Sequence, residues 1–308
     1  MKKHLLYLVV LFCIYSPSRA QQNVSIGSIK HILQFSSKFV DARNVDIWLP
    51  PGYQTDKKYP VLYMHDGQML FDSTTSWNKQ EWGVDEVLGQ LIAKNQIEPL
   101  IVVGVFNSNQ NRHIDYFPQK PFERLTKKVQ DSLYDAVRPA TGVGVFSKKI
   151  QSDLYLRFLV EELKPFIDSN FAVYTDAANT CIAGSSMGGL ISLYAICEYP
   201  KVFGGAACLS THWPGIFTVE NNPIPNAFVD YMQHHLPNPD NHRIYFDYGT
   251  ATLDALYEPF QLKADAVMRN KGFTEINWMT LKFEGANHSE KSWNARLHQP
   301  IQFLFKKK

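Results

Sequence analysis

Short apolar runs alternate with amphipathic segments along most of the chain. Residues 59–65 and 99–106 are mostly apolar, which is typical of strands buried on both faces. Residues 82–94 and 153–168 instead place apolar side chains at helical spacing. The same reasoning predicts strands at 179–183, 205–209, 243–248 and 276–283, and helices at 188–198, 226–236, 257–271 and after Glu290. This alternation predicts an α/β fold with a mainly parallel sheet and helices on both faces.

Two regions do not follow this alternation. Residues 30–40 and 43–49 are predicted to form two strands around a polar turn, before the alternation begins. Residues 107–150 mix polar and aromatic side chains with two glycines, which indicates long loops or a lid. No linker or internal repeat divides residues 21–308, so we expect a single domain there.

The N-terminal segment has the pattern of a secretory signal. Two lysines precede an apolar run over residues 5–15, and Ser18 and Ala20 supply the small residues that a signal peptidase reads. The run is shorter than the ~20 apolar residues that a membrane-spanning helix needs. We therefore expect that residues 1–20 are removed and that the protein is exported, to the periplasm or the medium, as a chain that begins at Gln21 and has no membrane span.

The charge balance argues against a nucleic-acid partner. The whole chain has 31 basic and 29 acidic residues. Residues 1–20 hold three of the basic residues and no acidic residue, which leaves 28 basic and 29 acidic residues and a net charge of −1 in the expected mature chain. Such a chain, with no basic run before Lys306, is a poor nucleic-acid binder.

Three cysteines remain after the signal: Cys181, Cys197 and Cys208. Their spacing is not that of metal ligands, and we expect no metal site. Each lies in an apolar context, which predicts buried thiols, although a disulfide between Cys181 and Cys208 stays possible.

One glycine-containing motif has the form of a nucleophile elbow. Gly184-Ser185-Ser186-Met187-Gly188 follows the apolar stretch 180–183 and opens a predicted helix. Glycines two residues before and after the central serine let the backbone fold back tightly. Ser186 has glycine at both places, whereas Ser185 has an alanine and a methionine there. Ser186 is therefore the predicted nucleophile.

Two residues near the C-terminus are candidates for the partners that a serine nucleophile needs. A serine hydroxyl requires a base, and the base requires an acid that orients it; here the expected chain order is serine, acid, histidine. His288 follows the last predicted strand and is the expected base. Asp254 follows the preceding strand and is the first choice for the acid, with Glu258 as the alternative.

Two backbone N–H groups are candidates for stabilising an oxyanion. The first belongs to Met187, at the start of the helix after the nucleophile. The second is expected from Gln68, where the preceding Gly67 allows a close approach of the backbone. His65 and Asp66 are expected to brace this loop.

Aromatic side chains follow several of these loops and are candidates for the wall of a substrate pocket. An aromatic or sugar ring would pack against such side chains. The candidates are Trp77, Trp82, Tyr116, Phe117 and Trp213.

Three motifs together resemble the putative esterase family of the α/β-hydrolase fold. They are Met64-His65-Asp66-Gly67-Gln68, Gly184-Ser185-Ser186-Met187-Gly188-Gly189-Leu190 and Gly285-Ala286-Asn287-His288, and the similarity extends from about residue 28 to 305. The resemblance implies Ser186 as nucleophile, His288 as base and the N–H groups of Gln68 and Met187 as donors. It also implies an acid within residues 247–258, but the spacing after Gly249 is longer than in many relatives.

Together, these expectations predict a secreted serine carboxylester hydrolase. It forms an acyl-enzyme on Ser186 and needs no metal or organic cofactor. The first choice of substrate is a carbohydrate-linked feruloyl or acetyl ester, or another small ester. Three alternatives stay open: a siderophore-ester hydrolase, an acyltransferase that uses the same triad, and a non-catalytic carbohydrate-binding relative.

Overall fold

One eight-stranded sheet runs through the part of the chain that the computed structural model describes, residues 23–138 and 141–307. Its strands are β1 (Ser28–Phe35), β2 (Arg43–Leu49), β3 (Val61–His65), β4 (Ile101–Val105), β5 (Thr180–Ser185), β6 (Gly205–Leu209), β7 (Arg243–Gly249) and β8 (Trp278–Phe283). They lie in the order β1-β2-β4-β3-β5-β6-β7-β8. Strand β2 pairs antiparallel with β1 and β4, while β3 to β8 run parallel. The predicted mainly parallel sheet is confirmed.

The ends of the parallel strands define one edge of the sheet, which we call the carboxyl edge. Met64 of β3 pairs with Ala183 of β5, and Leu209 of β6 pairs with both Ser185 of β5 and Asp247 of β7. These strands therefore end at about the same level, and the segments that follow them meet there. In open parallel sheets, ligands bind at this edge.

Helices cover both faces of the sheet, as predicted. They are α1 (Val84–Ala93), α2 (Arg112–Tyr116), α3 (Gln119–Glu123), α4 (Lys127–Tyr134), α5 (Ser152–Arg157), α6 (Lys164–Asn170), α7 (Met187–Glu198), α8 (Ile224–His235), α9 (Glu258–Asn270), α10 (Glu290–Arg296) and α11 (His298–Phe305). On one face, Leu88 of α1 and Leu304 of α11 belong to the same apolar cluster. On the other face, Leu190 of α7 and Phe228 of α8 belong to a second, larger cluster.

The stretch 107–150 is not the run of long loops that its composition indicates. It contains α2, α3 and α4 and a short bridge between Val137 and Gly144. Its aromatic residues, such as Phe117 and Phe122, are buried in the larger apolar cluster. Each of these helices has only one or two turns, which is too short for the apolar periodicity to be recognised in the sequence.

Two of the predicted helices are divided in the structure. The one expected over 153–168 begins at Ser152 and contains a π-helical segment, Phe158–Leu163, between α5 and α6. The terminal one is split into α10 and α11, with Leu297 between them.

The three cysteines outside the predicted signal are buried and free, so the possible Cys181–Cys208 disulfide is not formed. Burial raises the pKa of the Cys181 thiol to about 12. The prediction of buried thiols is confirmed. Among the described residues, no helix is both long and apolar enough to span a membrane. The predicted signal at residues 1–20 lies outside the described residues.

Candidate active site

Ser186 lies in the sharp turn between β5 and α7, at the carboxyl edge. Its backbone has φ 59° and ψ −120°, a conformation that a serine adopts only under strain. A side chain at Gly184 would place its Cβ 2.8 Å from the backbone carbon of Gly188, so the turn requires glycine. The Ser186 N–H donates to the Leu209 carbonyl at 2.9 Å, which fixes the turn against the end of β6.

His288 and Asp254 form a short hydrogen bond. The His288 Nδ1 atom lies 2.5 Å from Asp254 Oδ1, and the carboxyl group is fully buried in the turn after β7. Burial alone would raise the pKa of Asp254, but hydrogen bonds from His288, Ser210 and the Gly249 N–H outweigh it and lower this pKa. Asp254 is therefore ionised near neutral pH, and Nε2 is the imidazole nitrogen left to accept a proton.

The alternative acid, Glu258, is engaged elsewhere. Its carboxylate accepts hydrogen bonds from the Tyr248 hydroxyl at 3.3 Å and from the Lys282 ammonium at 3.0 Å. No hydrogen bond joins it to His288 in the described part of the chain. The loop of His288 is instead fixed to the loop of Asp254, since the His288 N–H donates to Thr252 Oγ1 at 3.0 Å.

Tyr257 lies close to both Ser186 and the His288–Asp254 pair. It is fully buried, and a hydrogen bond from the Ser186 side chain acts on its hydroxyl group. The centroid of its ring is 5.9 Å from that of the His288 ring. The serine and the histidine–aspartate pair therefore meet at one tyrosine. Sequence reasoning missed Tyr257, although its position three residues after Asp254 was an available signal.

A buried polar group supports Asp254 from behind and was also missed. Ser210 Oγ lies 2.5 Å from Asp254 Oδ2 and accepts hydrogen bonds from Trp293 Nε1 at 3.0 Å and from Arg296 at 2.7 Å. Arg296 also donates to Asp247 at 2.9 Å. These contacts join the terminal helix α10 to the site. The sequence shows no motif for them, because the residues come from three distant segments.

The two predicted oxyanion donors follow the neighbouring strands β3 and β5. Met187 is the first residue of α7, and Gln68 lies in a short 3-10 turn after β3. Neither backbone N–H has a hydrogen-bond partner within the described residues. A Cβ at Gly67 would lie 2.6 Å from the Gly104 carbonyl group, so this turn approaches β4 as closely as only glycine allows.

Asp66 and His65 contact neighbouring side chains in the way expected of bracing residues. Asp66 accepts two hydrogen bonds from the Arg112 guanidinium, at 2.7 and 2.6 Å, and one from Asn107. Burial opposes ionisation of Asp66, but Arg112 outweighs it and lowers the pKa of this carboxyl. Burial lowers the pKa of His65 to about 3, and its Nδ1 contacts the Tyr155 hydroxyl at 2.9 Å.

Most of the aromatic residues predicted to line a pocket are buried in the core. Trp82 is 3% exposed and packs on Trp293, while Tyr116 and Trp213 are 0% exposed. That part of the prediction is wrong, because these rings pack against other side chains and present no surface to a ligand. Phe117 is buried in the same way. Trp77 differs, since 81% of it is exposed, on the segment that follows the Gln68 turn.

A cleft of about 1010 Å³ lies at the other edge of the sheet, among residues such as Tyr59, Glu98 and Arg243. These residues lie at or before the starts of the parallel strands. None of the predicted site residues lines this cleft.

The family assignment rests on a match over most of the chain. Residues 36–304 match the model of the family described as Putative esterase. The chain belongs to this family. The assignment confirms the resemblance of the three motifs, and the protein is a carboxylic ester hydrolase with an α/β-hydrolase fold.

Two curated relatives illustrate the range of this family. This chain is 24% identical over 273 residues to the uncharacterized protein YbbA of Bacillus subtilis, a match that covers 86% of this chain and 93% of YbbA. It is 27% identical over 221 residues to an endo-1,4-beta-xylanase/feruloyl esterase of Xylanibacter ruminicola. That match covers 69% of this chain and 25% of the relative.

Solved structures share the fold at low sequence identity. A ferulic acid esterase superposes with a TM-score of 0.62 at 19% identity, over 90% of this chain and 98% of the other. The enterobactin esterase FES of Shigella flexneri superposes with a TM-score of 0.62 at 18% identity, over 92% of this chain and 60% of the other.

The contacts of the two candidate acids predict different effects of their amide variants. Asp254→Asn should lower kcat for p-nitrophenyl acetate by about 10³- to 10⁴-fold, because an amide cannot hold the histidine in the required tautomer. Glu258→Gln should leave kcat within about threefold, since its partners are Tyr248 and Lys282 and such surface contacts are weak. Both variants are first compared with the wild type by thermal unfolding. A larger loss from Glu258→Gln than from Asp254→Asn would contradict the assignment.

Proposed function

We propose that this esterase is a serine hydrolase that works through an acyl-enzyme on Ser186, with His288 as general base and Asp254 as its partner. The observation that carries the proposal is the joint geometry of the elbow and the imidazole. Ser186 is held in a strained turn beside Tyr257, and the ring of Tyr257 contacts a histidine whose other side is bonded to a buried carboxylate. A serine, a histidine and an ionised aspartate in this relation activate a hydroxyl for attack on a carbonyl carbon.

The proposed acylation moves one proton from Ser186 to the leaving alcohol by way of His288. The Ser186 oxygen forms a bond to the ester carbonyl carbon while its proton moves to His288 Nε2. The proton then passes to the leaving alcohol as the bond to the alcohol oxygen breaks. The N–H groups of Gln68 and Met187 donate to the carbonyl oxygen while it carries negative charge, and one such donor contributes about 10²- to 10³-fold to kcat. Water then releases the acid by the same steps.

A carbohydrate-linked feruloyl or acetyl ester is the substrate class that we propose. An exposed Trp77 ring offers a flat apolar surface on which a sugar ring stacks. Its segment is tied to the loop of His288, since Asn78 Nδ2 donates to Glu290 Oε2 at 2.8 Å. The curated relative that combines xylanase and feruloyl esterase in its name supports this choice.

We also propose that the protein is exported after removal of residues 1–20. The support is the basic start, the apolar run and the small residues at 18 and 20. N-terminal sequencing of the protein released by cells that express the full sequence should begin at Gln21. A released chain that still begins at Met1 would contradict the proposal.

Replacement of the nucleophile gives the direct test of the mechanism. Ser186→Ala should lower kcat for p-nitrophenyl acetate by several orders of magnitude and abolish labelling by a fluorophosphonate probe. Ser185→Ala is the matched control, because Ser185 is the buried last residue of β5 and is not at the centre of the turn. Mass spectrometry of the labelled wild type should place the adduct on Ser186. Unchanged turnover in Ser186→Ala would refute the mechanism.

The role of Trp77 predicts a difference between two esters of the same acid. Trp77→Ala should raise KM about 2- to 10-fold for a feruloylated arabinoxylan oligosaccharide, because a lost aromatic contact is worth about 0.5–1.5 kcal/mol. KM for methyl ferulate, which has no sugar, should change less than twofold. Trp77→Phe keeps a ring and should recover part of the loss. Efficient cleavage of a catecholate siderophore ester with no release of ferulate would overturn the proposed substrate class.

A further inference from the structure

Tyr257 and His212 form a buried pair behind the nucleophile that the triad does not use. The Tyr257 hydroxyl lies 2.8 Å from His212 Nδ1, and both side chains are buried. The N–H of His212 donates to the carbonyl oxygen of Ser186 at 3.2 Å. His212 therefore contacts Ser186 through its backbone N–H and contacts Tyr257 through its ring.

The directions of the hydrogen bonds in this pair follow from the state of His212. Burial, reinforced by the positive charge of Arg112, lowers the pKa of His212 well below its usual value, so the ring is neutral. A neutral imidazole has one donor nitrogen and one acceptor nitrogen. A backbone hydrogen bond at Ile216 acts to raise the pKa of His212, which is the effect of a carbonyl that accepts a ring N–H, so we assign the ring N–H to Nε2. The Nδ1 atom is therefore the acceptor, and Tyr257 donates its proton to it.

The Tyr257 oxygen, whose proton is donated to His212, can still accept a hydrogen bond. Burial raises the pKa of Tyr257, and a hydrogen bond with the Ser186 side chain opposes this rise, so we assign the Ser186 hydroxyl as the donor to this oxygen. When Ser186 carries an acyl group, its oxygen has no proton to donate, and this acceptor position becomes free. Two acceptors then lie beside the acyl-enzyme, His288 Nε2 and the Tyr257 oxygen. A water molecule has two O–H groups and satisfies both acceptors, whereas an alcohol has one and satisfies only one.

We propose that Tyr257, held by His212, positions the water that hydrolyses the acyl-enzyme and thereby favours hydrolysis over transfer to an alcohol. This inference rests on the proposed acyl-enzyme at Ser186 and decides between the hydrolase and acyltransferase uses of the same triad.

The step balances without any further reactant. The water oxygen forms a bond to the acyl carbon, and one water proton moves to His288 Nε2. The bond between that carbon and the Ser186 oxygen then breaks, and the proton on His288 returns to the serine. The second water proton stays on the released acid and is the one that Tyr257 orients.

The partition of the acyl-enzyme between water and methanol tests the inference, and it does so whichever step limits turnover. The full-length mature protein and Tyr257→Phe are incubated with p-nitrophenyl acetate at several concentrations of methanol, and methyl acetate and acetate are quantified. The ratio of methyl acetate to acetate should rise about tenfold in Tyr257→Phe, which is the size of effect that one hydrogen bond supplies. Tyr248→Phe is the matched control, because its hydroxyl contacts Glu258 and its ratio should equal that of the wild type. An unchanged ratio in Tyr257→Phe overturns the inference.

The rate constants separate a positioning role from a structural one. Where deacylation limits turnover, Tyr257→Phe should lower kcat more than kcat/KM, because the proposed role of the hydroxyl is in deacylation. A damaged site would lower kcat/KM as much as kcat. His212→Asn keeps an acceptor near the position of Nδ1 and should retain the wild-type ratio, while His212→Leu should shift it as Tyr257→Phe does. A wild-type ratio in His212→Leu would also overturn the inference.

Failure of the proposed function would give a different result. If no methyl ester forms at any methanol concentration and no acetyl adduct appears on Ser186 in acid-quenched wild type, the acyl-enzyme itself is refuted. If the adduct and the methyl ester both form but the variants do not differ, the acyl-enzyme stands and the role of Tyr257 is refuted.

Discussion

The hydrogen bond between His288 and the buried carboxylate of Asp254 is the interaction on which the rest of the site depends. A buried charge without partners costs several kcal/mol, so the fold must surround this carboxylate with donors. Three groups do so: the imidazole, the Gly249 N–H and the Ser210 hydroxyl. Ser210 is in turn held by two side chains of α10. Helix α10 is therefore positioned by the same polar network that orients the proposed base, and not by apolar packing alone.

The second constraint is the strained turn at Ser186. The backbone of β5 must reverse into α7 within one residue, and this brings the Gly184 and Gly188 backbones too close for any side chain at Gly184. The turn also places the N–H of Met187 at a helix start, without a protein partner among the described residues. In the proposed mechanism, this one local distortion presents the Ser186 hydroxyl and provides a donor for the oxyanion.

Three histidines lie near the site, and their surroundings give them different roles. His65 and His212 are buried, and burial lowers the pKa of each ring, so both stay neutral and act through fixed hydrogen bonds to tyrosine hydroxyl groups. His288 is partly exposed and has a carboxylate partner. In the proposed mechanism, the carboxylate stabilises the imidazolium that forms when His288 accepts a proton, and neither buried ring has a carboxylate of the described residues hydrogen-bonded to it in this way.

The sequence by itself determined the local features, because these depend on spacing within single segments. The alternation of strands and helices, the elbow around Ser186 and the position of His288 after the last strand can all be read along the chain, and the fold follows from them. Other features could not be read along the chain, because they depend on packing between distant segments. They are the short helices in 107–150, the division of the terminal helix and the burial of Trp82, Tyr116 and Trp213. The choice of Asp254 over Glu258 as the partner of His288, and the placement of Tyr257 and Ser210, were likewise decided only by the tertiary structure. Parallel strands bring residues that are tens of positions apart to one edge, and which side chains then meet is set by three-dimensional contacts that no single stretch of sequence contains.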